Sequence, residues 1–220
     1  MKKRLYQGSH PYIALSLNNV GMAYYKLGKI SKGLKYQEKA LEMLKLLYQG
    51  SHHYIAISLN NIGATYCELG ENSKGLKYQE EALEMLKVLY KGNHSSIAAS
   101  LNNIGLTYQN LGDVSKGLKY QKEALEMVRT LYKGNHYYTV TSLSNVGEAY
   151  YKLGKTSKGL KYLEKAFEMT KALYQGNHHS TIPFFINIGT IYGKLGDINK
   201  AIELHKQAYN VCTNSRLRTS

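Results

Sequence analysis

The chain has 220 residues and no tryptophan, only three phenylalanines, two prolines and two cysteines. With so few large aromatic rings apart from tyrosine, composition argues for something less compact than one or two ordinary globular domains. No run of about 18 apolar residues occurs, which excludes a membrane-spanning helix. The N-terminal Met1–Gly8 stretch is basic but lacks the apolar segment of a signal peptide. Cys67 and Cys212, distant in sequence, make a poor disulfide pair and read as small core-like residues of a reducing compartment, which points to the cytoplasm. Acidic residues are also scarce: 15 stand against 29 lysines and arginines, a net charge of +14. That excess favours solubility and acidic partners but does not bear on the fold. A phosphate loop, a nucleophile elbow and a paired-cysteine zinc motif are all lacking, so the sequence reads as no enzyme and calls for no cofactor.

What is present in quantity is repetition. Gly28, Gly70, Gly112, Gly154 and Gly196 are spaced by 42 residues, as are His10, His52, His94, His136 and His178. A fixed period of this length is the signature of a repeat array. The repeats are expected at 11–52, 53–94, 95–136, 137–178 and 179–211. Residues 1–10 read as the remnant of a preceding helix and 212–220 as a tail.

Each half-repeat has helical periodicity. Ile13, Leu17, Val20, Tyr24 and Leu27 fall on one face of the first helix; Leu34, Leu41, Leu44 and Tyr48 fall on one face of the second. Gly28 sits where the first helix must stop, and Pro11 suits a first turn. Asp113 and Asp197 are expected to cap their second helices; Lys29 and Lys155 in the same slot are poor caps, leaving Ser31 and Ser157 for that role. Glycine recurs mid-helix at Gly21 and Gly33 and their equivalents. It costs roughly 1 kcal/mol there relative to alanine, so a neighbouring helix is expected to press on the backbone. Neither amphipathic helix is stable alone, and stacking of pairs supplies the core.

The residues Val20, Gly21, Tyr24, Gly28, Gly33, Leu34, Tyr36, Ala40 and Leu41 resemble the tetratricopeptide repeat. The 42-residue unit is similar to the longer repeats of kinesin light chain. Gln37 departs from the pattern, standing in a slot that is usually aromatic. The resemblance implies an all-α, right-handed superhelical solenoid of antiparallel helix pairs, with the first helices lining a concave groove. It also implies a protein or peptide partner.

On the groove side, the sequence places a ladder of Asn19, Asn61, Asn103, Asn145 and Asn187, partly doubled by Asn18, Asn60 and Asn102. Asparagine can pair with a peptide N–H and C=O without reading its side chains. Bridging between neighbouring helices is the competing role for these amides. Tyr25, Lys26, Tyr151, Lys152 and Lys194 flank the ladder, and the lysines favour an acidic segment. The positions that vary between copies, such as Leu15, Ile57, Ala99, Thr141 and Pro183, suit local selection of side chains or surface drift.

Elsewhere, Lys32, Lys35 and their equivalents recur on the second helix, read as a solvated face, with an anionic surface or nucleic acid as the alternative partner. The uniform ladder and the lack of an aromatic stacking row fit RNA reading poorly. Self-association through ends without a polar capping helix is a further alternative. The periodic histidines are spaced too far apart to converge on one metal and read as turn-stabilising residues. Glu38, Glu42, Glu80 and Glu84 read as salt-bridge partners of nearby lysines.

Overall fold

A histidine starts each regular first helix. In the computed structural model, which describes residues 10–174 and 179–216, His10, His52, His94 and His136 hold the N-cap in extended backbone. The Nδ1 of each accepts the N–H two residues on, at 3.2–3.3 Å. At His52, His94 and His136 the imidazole also lies flat on the tyrosine four residues before it, with ring centroids 3.5 Å apart for Tyr48–His52, 3.6 Å for Tyr90–His94 and 3.8 Å for Tyr132–His136. One side chain thus satisfies an orphan helix donor and packs the turn. This is the turn-stabilising role expected of these residues. His178 and the predicted remnant up to residue 9 lie outside the described residues.

The first helices are α1 (Pro11–Lys26), α3 (His53–Glu68), α5 (Ser95–Asn110), α7 (Tyr137–Lys152) and α9 (Ile182–Lys194). The second helices are α2 (Ile30–Leu47), α4 (Asn72–Leu89), α6 (Val114–Leu131), α8 (Thr156–Leu173) and α10 (Ile198–Arg216). Among the described residues there is no strand. Each pair is joined through a glycine in the left-handed region, Gly28 at φ 72° being the first, and the N–H of Lys29 reaches back to the Tyr24 carbonyl at 2.9 Å. Asp113 and Asp197 cap as expected, accepting from the backbone of Lys116 and Lys200 at 2.9 and 3.1 Å. The serines do not: Lys29 and Lys155 are the N-cap residues without a side-chain cap bond, and Ser31 and Ser157 already lie inside the first turn.

The mid-helix glycines meet as the sequence requires. A Cβ on Gly21 would stand 2.8 Å from the Gly33 carbonyl oxygen, and one on Gly33 would stand 2.6 Å from the Gly21 carbonyl oxygen. The two helices of a hairpin therefore touch backbone to backbone at this level.

The chain forms two compact units, Met1–Tyr120 and Gln121–Ser220, the division falling inside α6. The core of the first unit includes Leu34, Leu41, Leu44, Ile55, Leu59, Ile62 and Tyr66. In its internal copy the predicted stripe is buried at Ile55, Leu59, Ile62 and Tyr66, with Leu69 partly buried, but in α1 it is not, and Val20 is 40% exposed. The core of the second unit includes Leu163, Phe185, Ile188, Ile191 and Leu204. Phe167 and Phe184 pack against it, so all three phenylalanines of the chain gather here.

Gln37, out of place against the family pattern, is fully buried and fully used. Its Oε1 accepts from Thr65 Oγ1 at 2.9 Å and its Nε2 lies 3.3 Å from Met22 Sδ. Gln79 repeats the bond with Thr107 at 2.8 Å. In the second unit the position 28 residues beyond Gln121 is Ala149, and the buried Gln121 amide has no partner among the described residues. Leu163 and Ile191 then make the equivalent rung apolar.

Candidate peptide-binding groove

The ladder asparagines project from first helices, so their environment follows from how neighbouring first helices meet. In the first unit the two asparagine series separate. Asn60 Oδ1 accepts from Ser100 Oγ at 3.1 Å, which ties α3 to α5 and makes this inner residue a helix bridge. Asn18 Oδ1 is buried without a partner among the described residues, and Asn102, half-buried, is engaged within the protein. The outer series is different. Asn19 is exposed and Asn61 and Asn103 are half-buried; the carbonyls of the latter two accept from Thr65 and Thr107, and among the described residues their side-chain amides carry no hydrogen bond. Tyr25 is half-buried, and burial pushes its phenol up, with Glu68 adding to the shift. Lys26 is exposed in the last turn of α1.

In the second unit, the ladder residues border open volume between α7 and α9. A cavity of about 340 Å³ is lined by Glu148, Tyr151 and Lys152 from α7, Leu163 beneath, and Asn187, Thr190, Ile191 and Lys194 from α9. A second cavity of about 210 Å³ lies toward the start of the same helices. Val140, Thr141, Ser144 and Asn145 line it from α7, with Thr170, Leu173, Tyr174, Ser180 and Phe184. Four of the predicted residues, Tyr151, Lys152, Asn187 and Lys194, thus line one cavity, and Asn145 lines the other. Asn145 also has a partner within the protein.

The two cavities differ in chemistry. At the charged end, Lys194 Nζ sits 5.3 Å from the centroid of the Tyr151 ring. Burial raises the Glu148 carboxyl above its ordinary value, with Lys152 pulling the other way. The other end is apolar, floored by Leu173 and Phe184. It arises from two departures from the repeat. Pro183 offers no N–H to bond back four residues, so the chain makes a 3₁₀ turn at His179–Thr181 and the α-helix begins at Ile182. Phe184 then stands where Ser16, Ser58, Ser100 and Ser142 stand in the other copies. Pro183 was legible as a varying groove position. Phe184 carried no ladder signal, and the Ser-to-Phe change was the clue to it, while Ser144 stands where Asn18, Asn60 and Asn102 stand in the earlier copies.

A larger open volume, about 520 Å³, lies elsewhere, over Lys32, Lys35, Tyr36 and Lys39 of α2. Lys32 is held 4.4 Å over the Tyr24 ring, and Lys74, Lys116, Lys158 and Lys200 repeat the arrangement. These lysines belong to the repeat's own packing, which is why the volume over α2 carries less functional weight. Glu38 and Glu80 are not lysine partners either. They accept from the Tyr66 and Tyr108 hydroxyls at 2.7 and 3.1 Å, whereas Glu84 does pair with Lys87 at 3.5 Å. Of the cysteines, Cys67 is half-buried and packs as expected, but Cys212 is exposed, so it is not core-like. Among the described residues no three metal-ligating side chains converge, and no helix is long and apolar enough to cross a membrane.

The tetratricopeptide repeat family matches residues 12–88, 54–114, 96–158 and 145–214. The chain belongs to that family. Its fold is that of a solenoid of helix pairs. The nearly identical tetratricopeptide-like repeats of a Podosopora anserina protein assigned to the kinesin light chains superpose with a TM-score of 0.75 at 16% identity, covering 94% of this chain and 98% of that one. BtubC (BKLC) of P. vanneervenii superposes at 0.81 and 19% identity, covering 94% and 82%. A Rap protein complexed with competence and sporulation factor superposes at 0.76 and 19% identity, covering 90% of this chain and 53% of that protein. No curated protein matches in sequence. The tetratricopeptide scaffold is typical of protein–protein interaction and is generally non-enzymatic.

Proposed function

We propose that this tetratricopeptide chain is a non-enzymatic scaffold that holds an extended segment of a partner protein in the groove between α7 and α9. The observation that carries the reading is the pair of unlike cavities flanking the Asn145 and Asn187 rungs on the same two helices. A bound strand would hydrogen-bond through its backbone to the asparagine amides. It would seat an apolar side chain against Phe184 and Leu173, and an acidic one beside Lys152 and Lys194. The Rap neighbour, solved with competence and sporulation factor, lends this fold a precedent for holding a ligand. In the first unit, Asn19, Asn61 and Asn103 are the amides left available for the same use.

The test is binding of a peptide selected from a display library, followed by fluorescence anisotropy. Asn187→Ala and Lys194→Ala should each weaken binding by about tenfold, the scale of one lost charge-assisted or buried hydrogen bond. Thermal midpoints should stay unchanged, since both residues are exposed. Peptides that bind the double variant as tightly as the native chain would overturn the groove reading. Electrophoretic retardation of RNA at low salt, unaffected by these changes, would favour the basic-face alternative.

A further inference from the structure

One rung of the repeat inverts its charge. In three rungs the first-helix tyrosine donates its hydroxyl to a glutamate 28 residues earlier: Tyr66 to Glu38 at 2.7 Å, Tyr108 to Glu80 at 3.1 Å and Tyr192 to Glu164 at 2.5 Å. In each of these rungs a lysine also lies over the tyrosine ring, about 4 Å from its centroid, so hydroxyl, carboxylate and ammonium balance one another. At Tyr150 the glutamate is replaced by Lys122.

The consequence is a cationic cluster whose acceptor is the phenol oxygen rather than a carboxylate. Lys122 Nζ, from α6, stands 5.4 Å from the Tyr150 ring centroid, and Lys158 Nζ, from α8, stands 4.7 Å from it. Tyr150 is 3% exposed and fixed by stacking on Tyr162 at 5.5 Å, so its hydroxyl is held in place. Burial pushes the phenol up, but hydrogen bonding to the two ammonium groups outweighs it and brings Tyr150 below its ordinary value. Among the described residues no carboxylate is hydrogen-bonded or ion-paired to Lys122, Tyr150 or Lys158, and Glu164 of α8 is taken by Tyr192. Two cations and a phenol therefore meet at a point where the other rungs supply an anion from within the chain.

We propose that Lys122, Lys158 and Tyr150 form a binding site for a phosphate group, which takes the place of the glutamate carboxylate found in the other rungs. A phosphate dianion matches two ammonium charges and offers enough oxygens to accept from all three groups. The site lies on the tyrosine–lysine side of the hairpins and does not depend on the peptide groove.

The decisive variant is Lys122→Glu, which rebuilds the arrangement of the three balanced rungs and should fold at least as well as the native chain. Amide chemical shifts of ¹⁵N-labelled protein are followed on addition of inorganic phosphate and, separately, of a phosphoserine peptide. Saturable shifts at Tyr150 and Lys158 in the native chain, weakened about tenfold or more by Lys122→Glu with an unchanged thermal midpoint, are the expected result. The tighter of the two probes assigns the source as free phosphate or a phosphorylated partner. Equal shifts in the variant, or shifts spread evenly over Lys32, Lys74, Lys116 and Lys158, would overturn the proposal. Peptide binding in the groove should be unaffected by Lys122→Glu, so the two readings fail separately.

Discussion

At the scale of single residues, the buried amides decide stability. Thr107 Oγ1 donates to Gln79 Oε1 and also lies 3.2 Å from Cys67 Sγ. Thr107→Val keeps the shape but leaves the buried amide oxygen unpaired, and should cost about 1–3 kcal/mol in denaturant unfolding. The reverse change is available at the unpaired rung. Ala149→Thr would present a hydroxyl to Gln121, as Thr107 does to Gln79, and should stabilise by about 1 kcal/mol. A second residue-scale expectation concerns pH. His53 stands 2.8 Å from the Tyr90 hydroxyl, and its pKa is lowered chiefly by burial, with His94 and His52 adding repulsion. The folded chain therefore binds the proton less readily than the unfolded one. Stability from this group is fully present above the ordinary histidine range and is lost as pH falls toward the lowered value. Unfolding melts between pH 7.5 and 5, the span about the ordinary histidine pKa, should show this loss, and His53→Gln should flatten it.

At the scale of helices, the hairpin is set by the glycine contact and by the two ends of each helix. A Cβ on Gly75 would fall 2.5 Å from both Cys67 Sγ and the Gly63 carbonyl oxygen. The backbone oxygen has nowhere to go without parting α3 from α4, so Gly75→Ala should cost about 3 kcal/mol by overpacking. Gly70, with nothing within 4 Å but φ at 81°, should cost less on the same change, about 1–2 kcal/mol from backbone conformation alone. Comparing the two variants by thermal melts separates close approach from turn geometry. The glycine stops and the aspartate caps were legible in the sequence, because they follow from local backbone chemistry. The histidine caps were read only as turn residues, since a cap bond to the residue two on has no familiar sequence signature. Ser31 and Ser157, expected as caps, stand two residues past the N-cap, because propensity alone does not fix where a helix begins.

At the scale of the whole molecule, a repeat array gains its stability from nearest neighbours. A lesion should therefore spread only a short way. Gly33→Ala, in α2, should lower hydrogen-exchange protection in α1 to α3 and leave α9 and α10 unchanged. Loss of protection over the entire chain would show instead that it unfolds as one cooperative block. The net charge of +14 favours acidic partners by itself. In the folded chain, Lys32, Lys74, Lys116, Lys158 and Lys200 each cover a tyrosine ring, so part of that charge belongs to packing. The candidate groove was half legible. The asparagine ladder and the flanking Tyr151, Lys152 and Lys194 stand out by period, but the apolar cavity beside Phe184 does not.

The sequence by itself determined the repeat, the helix pairing and the glycine contacts, because a 42-residue period samples the same local chemistry several times and leaves little freedom in how each copy folds. Tertiary structure decided what the period could not. Asn60 bridges helices while Asn61, its neighbour in sequence, keeps a free amide, since adjacent residues on a helix point about 100° apart. Pro183 and Phe184 open a cavity, and Lys122 turns a balanced rung into a cationic one, because each acts through side chains brought together across neighbouring helices.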